Sequence, residues 1–343
     1  MKNGKYGMAI IGSGRAGKIH GRNYKKIKDA RLEAVMDPDE KVAEKAAREL
    51  EVEKYCTELD NILNDEKIDA VVIATPTAYH RDITVAAASA GKDIFCEKPM
   101  AMNVEECEEM IEAVQDNEVK FQIGFMRRFD ESFRRAKEAV EAGRIGEVVL
   151  VKSNTRGPST PKRWMYDIEK SNGPLAEVNS HDIDTVRWYA EGEFASLYAI
   201  GGNYRCPEAE DEFPDFYDNV ILNASLTNGK QGLIDGAQGV QYGYDARTEI
   251  LGTEGCIFVG QVHEKSVVVC NDDEGHTRPI MTSWRNLFKK AYTNEAEYFI
   301  ECLKEDRKPE VNEIDGKMAV KVVEAGNRSI VNEEKVHLDY KSD

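Results

Sequence analysis

No apolar run in the sequence approaches the length needed to cross a membrane. There is no C-x-x-C pair either. The seven cysteines stand scattered at 56, 96, 107, 206, 256, 270 and 302. An odd number at such spacing argues against a disulfide framework or a zinc site and fits reduced thiols in a cytoplasmic protein. Positive charge is in deficit, with 46 Lys plus Arg against 63 Asp plus Glu and a formal net charge of -17. A surface of that sign repels phosphate backbones and anionic lipid, so nucleic acid and membrane are not expected partners. The run Tyr6 to Ile11 is too short, and too soon broken by glycine, to read as a signal peptide. Low-complexity tracts and internal repeats are lacking as well.

What is present is a chain of 343 residues, long enough for two domains of ordinary size. Its first third alternates short apolar runs with helical patterns. Strands are expected at Tyr6 to Ile11, Leu32 to Met36, Ala70 to Ala74, Asp93 to Cys96 and Val119 to Ile123, with helices between them. Strands apolar on both faces and separated by helices imply a doubly wound parallel sheet. From Glu147 onward strands dominate, including Val148 to Ser153, Asn219 to Leu226 and Val267 to Cys270, with a helix over Leu175 to Tyr189 and two helices closing the chain. The expected fold is therefore α/β: an N-terminal Rossmann-type domain over 1–124 and a C-terminal α+β domain with a large open antiparallel sheet over 125–343.

Gly12-Ser13-Gly14-Arg15-Ala16-Gly17 ends the first strand and opens the first helix. Gly12 permits the tight turn, Gly14 admits a pyrophosphate, and Gly17 lets helix and strand approach closely. The helix N-terminus then offers free N–H groups to phosphates. Asp37 follows the second strand, where a carboxylate binds the ribose hydroxyls of NAD and repels the extra phosphate of NADP. The plainer alternative is that Asp37 caps the next helix together with Asp39.

Two further clusters stand out. Thr75-Pro76-Thr77-Ala78-Tyr79-His80 and Glu97-Lys98-Pro99 leave the strands at 70–74 and 93–96, at the sheet edge where ligands gather. A surface ion pair between Lys98 and Glu97 is the competing reading. Downstream, Glu177 and His181 are four apart and, on one helix, share a face. Glu177 would then hold the imidazole in one tautomer; on spacing alone a helix cap with a surface ion pair is the better account, and no convincing metal-ligand set accompanies it.

Together these segments resemble the glucose-fructose oxidoreductase/inositol dehydrogenase/rhizopine catabolism family, written Gfo/Idh/MocA. The resemblance spans nearly the whole chain, including Gly124 to Asp130, Tyr242 to Asp245 and Glu249 to Gly255, and is strongest to the inositol 2-dehydrogenase branch. It implies an active site between a Rossmann domain and an open-sheet domain. It places the chemistry on Lys98 and His181, with Glu177 where those enzymes carry Asp. Gly12, Ser13, Gly14, Arg15, Ala16, Gly17, Asp37, Thr75, Pro76, Thr77, His80, Glu97, Lys98 and Arg127 are then the expected cofactor contacts. Lys98, Arg127, Thr155, Arg156, Asn179, His181, Tyr242 and Tyr244 are the expected substrate contacts. Thr155 stands where those enzymes carry His ahead of an Arg-x-Pro turn.

The expectation is an NAD-dependent dehydrogenase that oxidises a hydroxyl of a small cyclic polyol or sugar, working in the cytoplasm as a homo-oligomer, a dimer or tetramer. The alternatives are an NADP(H)-dependent reductase of ketosugars or inososes and a non-catalytic NAD-binding regulator. Asp37 argues against the first. Retention of both Lys98 and His181 argues against the second.

Overall fold

The computed structural model describes residues 4–264, 269–271 and 275–340. The chain opens with β1 (Tyr6–Ile11), α1 (Arg15–Tyr24), β2 (Ala30–Met36), α2 (Glu40–Leu50), β3 (Lys54–Cys56), α3 (Asp60–Leu63), β4 (Ala70–Ile73), α4 (His80–Ser89), β5 (Asp93–Cys96), α5 (Val104–Asp116) and β6 (Phe121–Ile123). The six strands are parallel and ordered β3-β2-β1-β4-β5-β6. All of β4 and all of β1 beyond Tyr6 are buried, as a sheet covered on both faces requires. Strand order reverses between β1 and β4, so their carboxyl ends flank the switch point at which open parallel sheets bind ligands.

Next come α6 (Glu131–Glu141), β7 (Val148–Gly157), α7 (Ile168–Ser171), α8 (Gly173–Glu177), α9 (Ser180–Ala190), β8 (Phe194–Gly202), β9 (Asn219–Leu226), β10 (Gln231–Gln238), β11 (Asp245–Gly252), β12 (Cys256–Val259), β13 (Val269–Asn271), β14 (Gly275–Thr277) and α10 (Trp284–Leu287). The chain closes with α11 (Lys289–Lys304), α12 (Glu313–Asn332) and β15 (Val336–His337). Of the strand expected at Val267 to Cys270, Val267 and Val268 lie outside the described residues and β13 takes Val269 and Cys270. The large sheet runs β12-β11-β7-β10-β9-β8-β15. It is antiparallel except for β7 against β10, so it is mixed.

Two compact units result: Met1–Phe129 with Lys290–Val320, and Asp130–Lys289 with Lys321–Asp343. This differs from the contiguous division expected at Gly124. The cause is α11, whose Ala296, Phe299, Ile300 and Leu303 are buried in one cluster with Met8, Ile10, Val72 and Phe95 of the parallel sheet. Burying an aliphatic or aromatic side chain of this size is worth about 1.5–3 kcal/mol. An apolar stripe announces a helix without naming the core that receives it.

Candidate functional site

Each glycine of the loop after β1 has its own geometric cause. Gly12 sits at φ +90, and a Cβ there would lie 2.6 Å from the backbone of Ala74. A Cβ on Gly17 would lie 2.0 Å from the carbonyl oxygen of Gly12. Both are therefore required by the fold. Gly14 differs: a Cβ there meets nothing within 4 Å, so packing does not demand a glycine. Gly14 is also the N-cap of α1, makes no side-chain capping bond, and is followed by a first turn without acidic residues. Open space beside an uncapped helix N-terminus fits a pyrophosphate.

Asp37 faces this loop. Its carboxylate accepts from the Ser13 backbone N–H at 3.0 Å and from the Asp39 N–H at 3.2 Å. The α2 cap is Asp39, which accepts from Lys41 and Val42 N–H, so the capping alternative for Asp37 is not what the structure contains. Ser13 Oγ donates to the Met36 carbonyl at 3.1 Å, tying the glycine loop to the end of β2. Arg15 is exposed and Ala16 half-buried beside it.

The loops after β4 and β5 are braced from beneath. His80 is buried, with Nδ1 2.9 Å from the Pro99 carbonyl and Nε2 3.0 Å from the Thr75 carbonyl. Burial favours the neutral ring, which donates from one nitrogen to one of these two carbonyls, so His80 links the loops after β4 and β5. Pro76 is exposed and Thr77 half-buried, at the open side of the first loop. Thr75 is half-buried, and its Oγ1 has no partner among the described residues. Glu97 also points inward. Its Oε1 lies 2.7 Å from His20 Nε2 and its Oε2 accepts from the Lys98 N–H at 3.2 Å. Burial pushes the Glu97 pKa up, but the His20 hydrogen bond, the attraction of His20 and Lys98 and the backbone N–H outweigh it and hold it below the usual carboxylate range. Lys98 itself is half-buried, and the Lys98–Pro99 peptide is cis. Arg127, in the turn Met126–Phe129, is almost wholly buried.

In the second unit the polar residues gather on α9, ten of whose eleven residues are buried. So buried a helix is ordinarily apolar, yet this one carries Ser180, His181, Asp182, Asp184, Thr185 and Arg187. Asp182 accepts from Ser153 Oγ at 2.6 Å and from Asn179 Nδ2 at 2.8 Å. Asn179 Oδ1 has no partner among the described residues. It lies so close over β10 that a Cβ on Gly236 would come within 2.0 Å of it. Glu177 and His181 do not share one helix. α8 ends at Glu177, and the Asn179 N–H bonds five residues back to the Pro174 carbonyl before α9 begins. A turn, and not helical periodicity, sets how those two side chains relate.

Strand alternation sorts the remaining candidates. Ser153 and Thr155 of β7 are buried on the sheet face that meets α9. Tyr244 is buried, and a Cβ on Gly157 would lie 3.7 Å from its ring. Arg156 takes the opposite face. It pairs with Asp235 through Nε at 3.0 Å and through Nη2, and its Nη1 lies 3.4 Å from the Tyr242 hydroxyl. Tyr242 in turn donates to Asp245, which Arg247 holds through two hydrogen bonds. The structure thus brings Thr155 and Asn179 to the α9 side and leaves Arg156 and Tyr242 in a surface network on the other.

Comparison with known proteins gives this geometry its setting. Residues 6–125 match a family described as "Oxidoreductase family, NAD-binding Rossmann fold", and residues 133–258 match the GFO/IDH/MocA C-terminal domain. The scyllo-inositol 2-dehydrogenase (NAD(+)) of Bacillus subtilis is 34% identical over 334 residues, which is 97% of this chain and 96% of that protein. The chain belongs to the GFO/IDH/MocA oxidoreductase family. The myo-inositol 2-dehydrogenase of Thermotoga maritima is 32% identical, over 97% of this chain and 98% of that protein. The crystal structure of a scyllo-inositol dehydrogenase from Lactobacillus casei with bound NAD(H) and scyllo-inositol superposes with a TM-score of 0.89, at 28% identity, over 97% of this chain and 99% of that one. As a member of this family the chain is an NAD-dependent oxidoreductase acting on CH–OH groups. The uncapped α1 and the open Gly14 fit such a cofactor. Among the described residues, no helix is long and apolar enough to cross a membrane.

His20 was not among the residues singled out from sequence. The available signal was a histidine three positions beyond Gly17 on the same helix, in a chain with six. Its partner, Glu97, is distant in sequence, and only the fold joins them.

Proposed function

We propose that this GFO/IDH/MocA enzyme oxidises one ring hydroxyl of an inositol-like cyclic polyol to a ketone, with Lys98 and His181 as the proton-handling pair. NAD, when bound, supplies the acceptor for the carbinol hydride. A ring nitrogen of His181 takes the hydroxyl proton, since an imidazole exchanges protons near working pH. The Lys98 ammonium stabilises the negative charge growing on that oxygen as the C–O bond becomes C=O. Asn179 Oδ1, with no partner of its own, accepts from a second hydroxyl of the substrate. Gly12, Gly14, Gly17 and the α1 N-terminus hold the cofactor phosphates, and Asp37 holds the ribose and selects NAD over NADP.

The observation that carries this reading is the polar, buried α9 bearing His181, in a chain matched over almost its whole length by inositol 2-dehydrogenases. The test is a panel of inositols, aldoses and linear polyols with NAD or NADP, read as absorbance of reduced nicotinamide. Cyclic polyols with NAD should turn over fastest. Lys98→Met and His181→Ala should each lower kcat/KM by about 10²–10⁴-fold. Near-normal rates in either variant would overturn the assignment.

A further inference from the structure

The first unit contains a buried polar cluster that the proposed chemistry does not use directly. His20 lies in α1, fully buried, with its ring 4.8 Å from Phe95 and edge-on to Tyr292 of α11 at 5.7 Å. Its Nε2 meets Glu97 Oε1, and the other oxygen of that carboxylate holds the backbone N–H of Lys98. The Glu97 main-chain N–H is tied to the Ile73 carbonyl of β4 at 2.9 Å. A Cβ on Gly124, just after β6, would lie 3.2 Å from Glu97 Oε2, so the absence of a side chain there leaves the carboxylate its room. One buried anion, held by donors from two directions, therefore sits directly behind Lys98.

The other groups around Glu97 do not compete for its charge. Glu295, one turn beyond Tyr292 on α11, is fully buried with no partner for either carboxyl oxygen among the described residues. Burial, and then the negative charge of Glu97, push its pKa well above the usual carboxylate range and favour its neutral form. On β5 the Cys96 thiol is pushed up by burial and by Glu97, and stays neutral too. On α4, burial lowers the pKa of His80 and favours its neutral ring, which donates to one of the two carbonyls it faces. His20 and Lys98 bond Glu97 directly, and Tyr292 packs on His20.

We infer that His20 and Glu97 form a positioning dyad: His20 holds the Glu97 carboxylate in its buried site, and that carboxylate holds the Lys98 main chain and so sets where the Lys98 side chain can reach. The inference rests on the proposed role of Lys98. His20 and Glu97 touch no substrate in this arrangement and act through Lys98 alone. It also explains why an acid precedes the lysine in this loop, where a surface ion pair would put both side chains in water.

The test is steady-state kinetics, with kcat and KM for the polyol separated and the folded fraction followed by circular dichroism. Glu97→Ala removes the acceptor for the Lys98 N–H and should lower kcat by about tenfold or more with little change in KM for the polyol, because Lys98 is no longer held in place. Glu97→Gln keeps one oxygen for that N–H and should recover most of the lost kcat. His20→Leu removes the partner of Glu97 and should lower kcat in the same way, and His20→Gln, which keeps a donor amide, should recover it. Either Glu97→Ala or His20→Leu carries the test if the other does not fold. A merely structural role would lower the folded fraction and leave kcat per folded enzyme in place, and that result would overturn the dyad. Lys98→Met separates the two ideas. If it turns over normally, the role of Lys98 fails. If it is inactive while Glu97→Ala keeps the wild-type kcat, only the dyad fails.

Discussion

The two units build their polar sites by opposite means. In the first, the backbone carries the site: a glycine loop with a positive φ, an uncapped helix end, and N–H groups collected by Asp37. In the second, side chains carry it: Ser153, Asn179 and Asp182 bond one another across β7 and α9. The difference teaches where each site is fragile. A backbone site fails when a Cβ is added, and a side-chain site fails when a partner is removed and a buried polar atom is left unsatisfied.

The largest effect should come from the glycines, and it should divide within a single motif. Gly17→Ala places a Cβ 2.0 Å from a backbone oxygen that cannot move aside, so we expect a loss of about 1–3 kcal/mol or more in urea unfolding. Gly14→Ala meets nothing and should unfold like wild type while binding NADH at least about tenfold more weakly, since it occupies the pyrophosphate space. If the Gly14 variant bound normally, the backbone account of the first site would break.

Next is Asp182→Asn in the second unit. It turns one of the two acceptor oxygens into a donor, so Ser153 Oγ and Asn179 Nδ2 can no longer both donate to it, and should cost about 1–3 kcal/mol, read by denaturant midpoint. KM for the polyol should rise as Asn179 loses its anchor, while NADH binding in the other unit stays unchanged. A parallel loss of NADH affinity would blur the division drawn here.

The smallest effect sharpens a contrast inside the first unit, between its two buried carboxyls. Glu97 is held below the ordinary range against burial, and Glu295 is raised well above it. A group whose folded pKa is raised contributes stability that is full below its unfolded value and is lost as pH rises through the folded value. Glu295→Gln removes that loss and should raise Tm, by more at pH 8 than at pH 5. Glu97→Gln has its window at lower pH, since the stability from a depressed carboxylate is present above its unfolded pKa and disappears as pH falls through the folded value. Its cost in Tm should be nearly the same at pH 8 and pH 5 and should shrink as the pH is taken below the ordinary carboxylate range. A Glu295→Gln shift equal at pH 5 and pH 8, or a Glu97→Gln cost that does not shrink in acid, would contradict the assigned charge states.

Legibility in the sequence followed the same division. The parallel sheet, the glycine loop and Asp37 were readable because spacing along one strand-turn-helix segment fixes them in space. The second sheet was readable as strands, but not the parallel pairing of β7 with β10, which depends on how β10 enters the sheet. Glu177 and His181 suggested one helix because four-residue spacing implies a shared face; the break after Glu177 was hidden because no proline or glycine marks it. Arg156 looked equivalent to Thr155 in sequence, yet adjacent residues of a strand face opposite sides. The return of α11 to the first core, and the meeting of His20 with Glu97, are long-range packing outcomes with no local signal.

The central claim is direct transfer of a carbinol hydride from a cyclic polyol to NAD. It is tested most directly by incubating the enzyme and NAD with an inositol deuterated at its ring carbons and weighing the reduced cofactor by mass spectrometry. The account predicts one deuterium in each reduced nicotinamide in the wild-type enzyme, and almost no reduced cofactor with Lys98→Met or His181→Ala. Reduced nicotinamide carrying hydrogen from solvent, or full turnover in either variant, would contradict it.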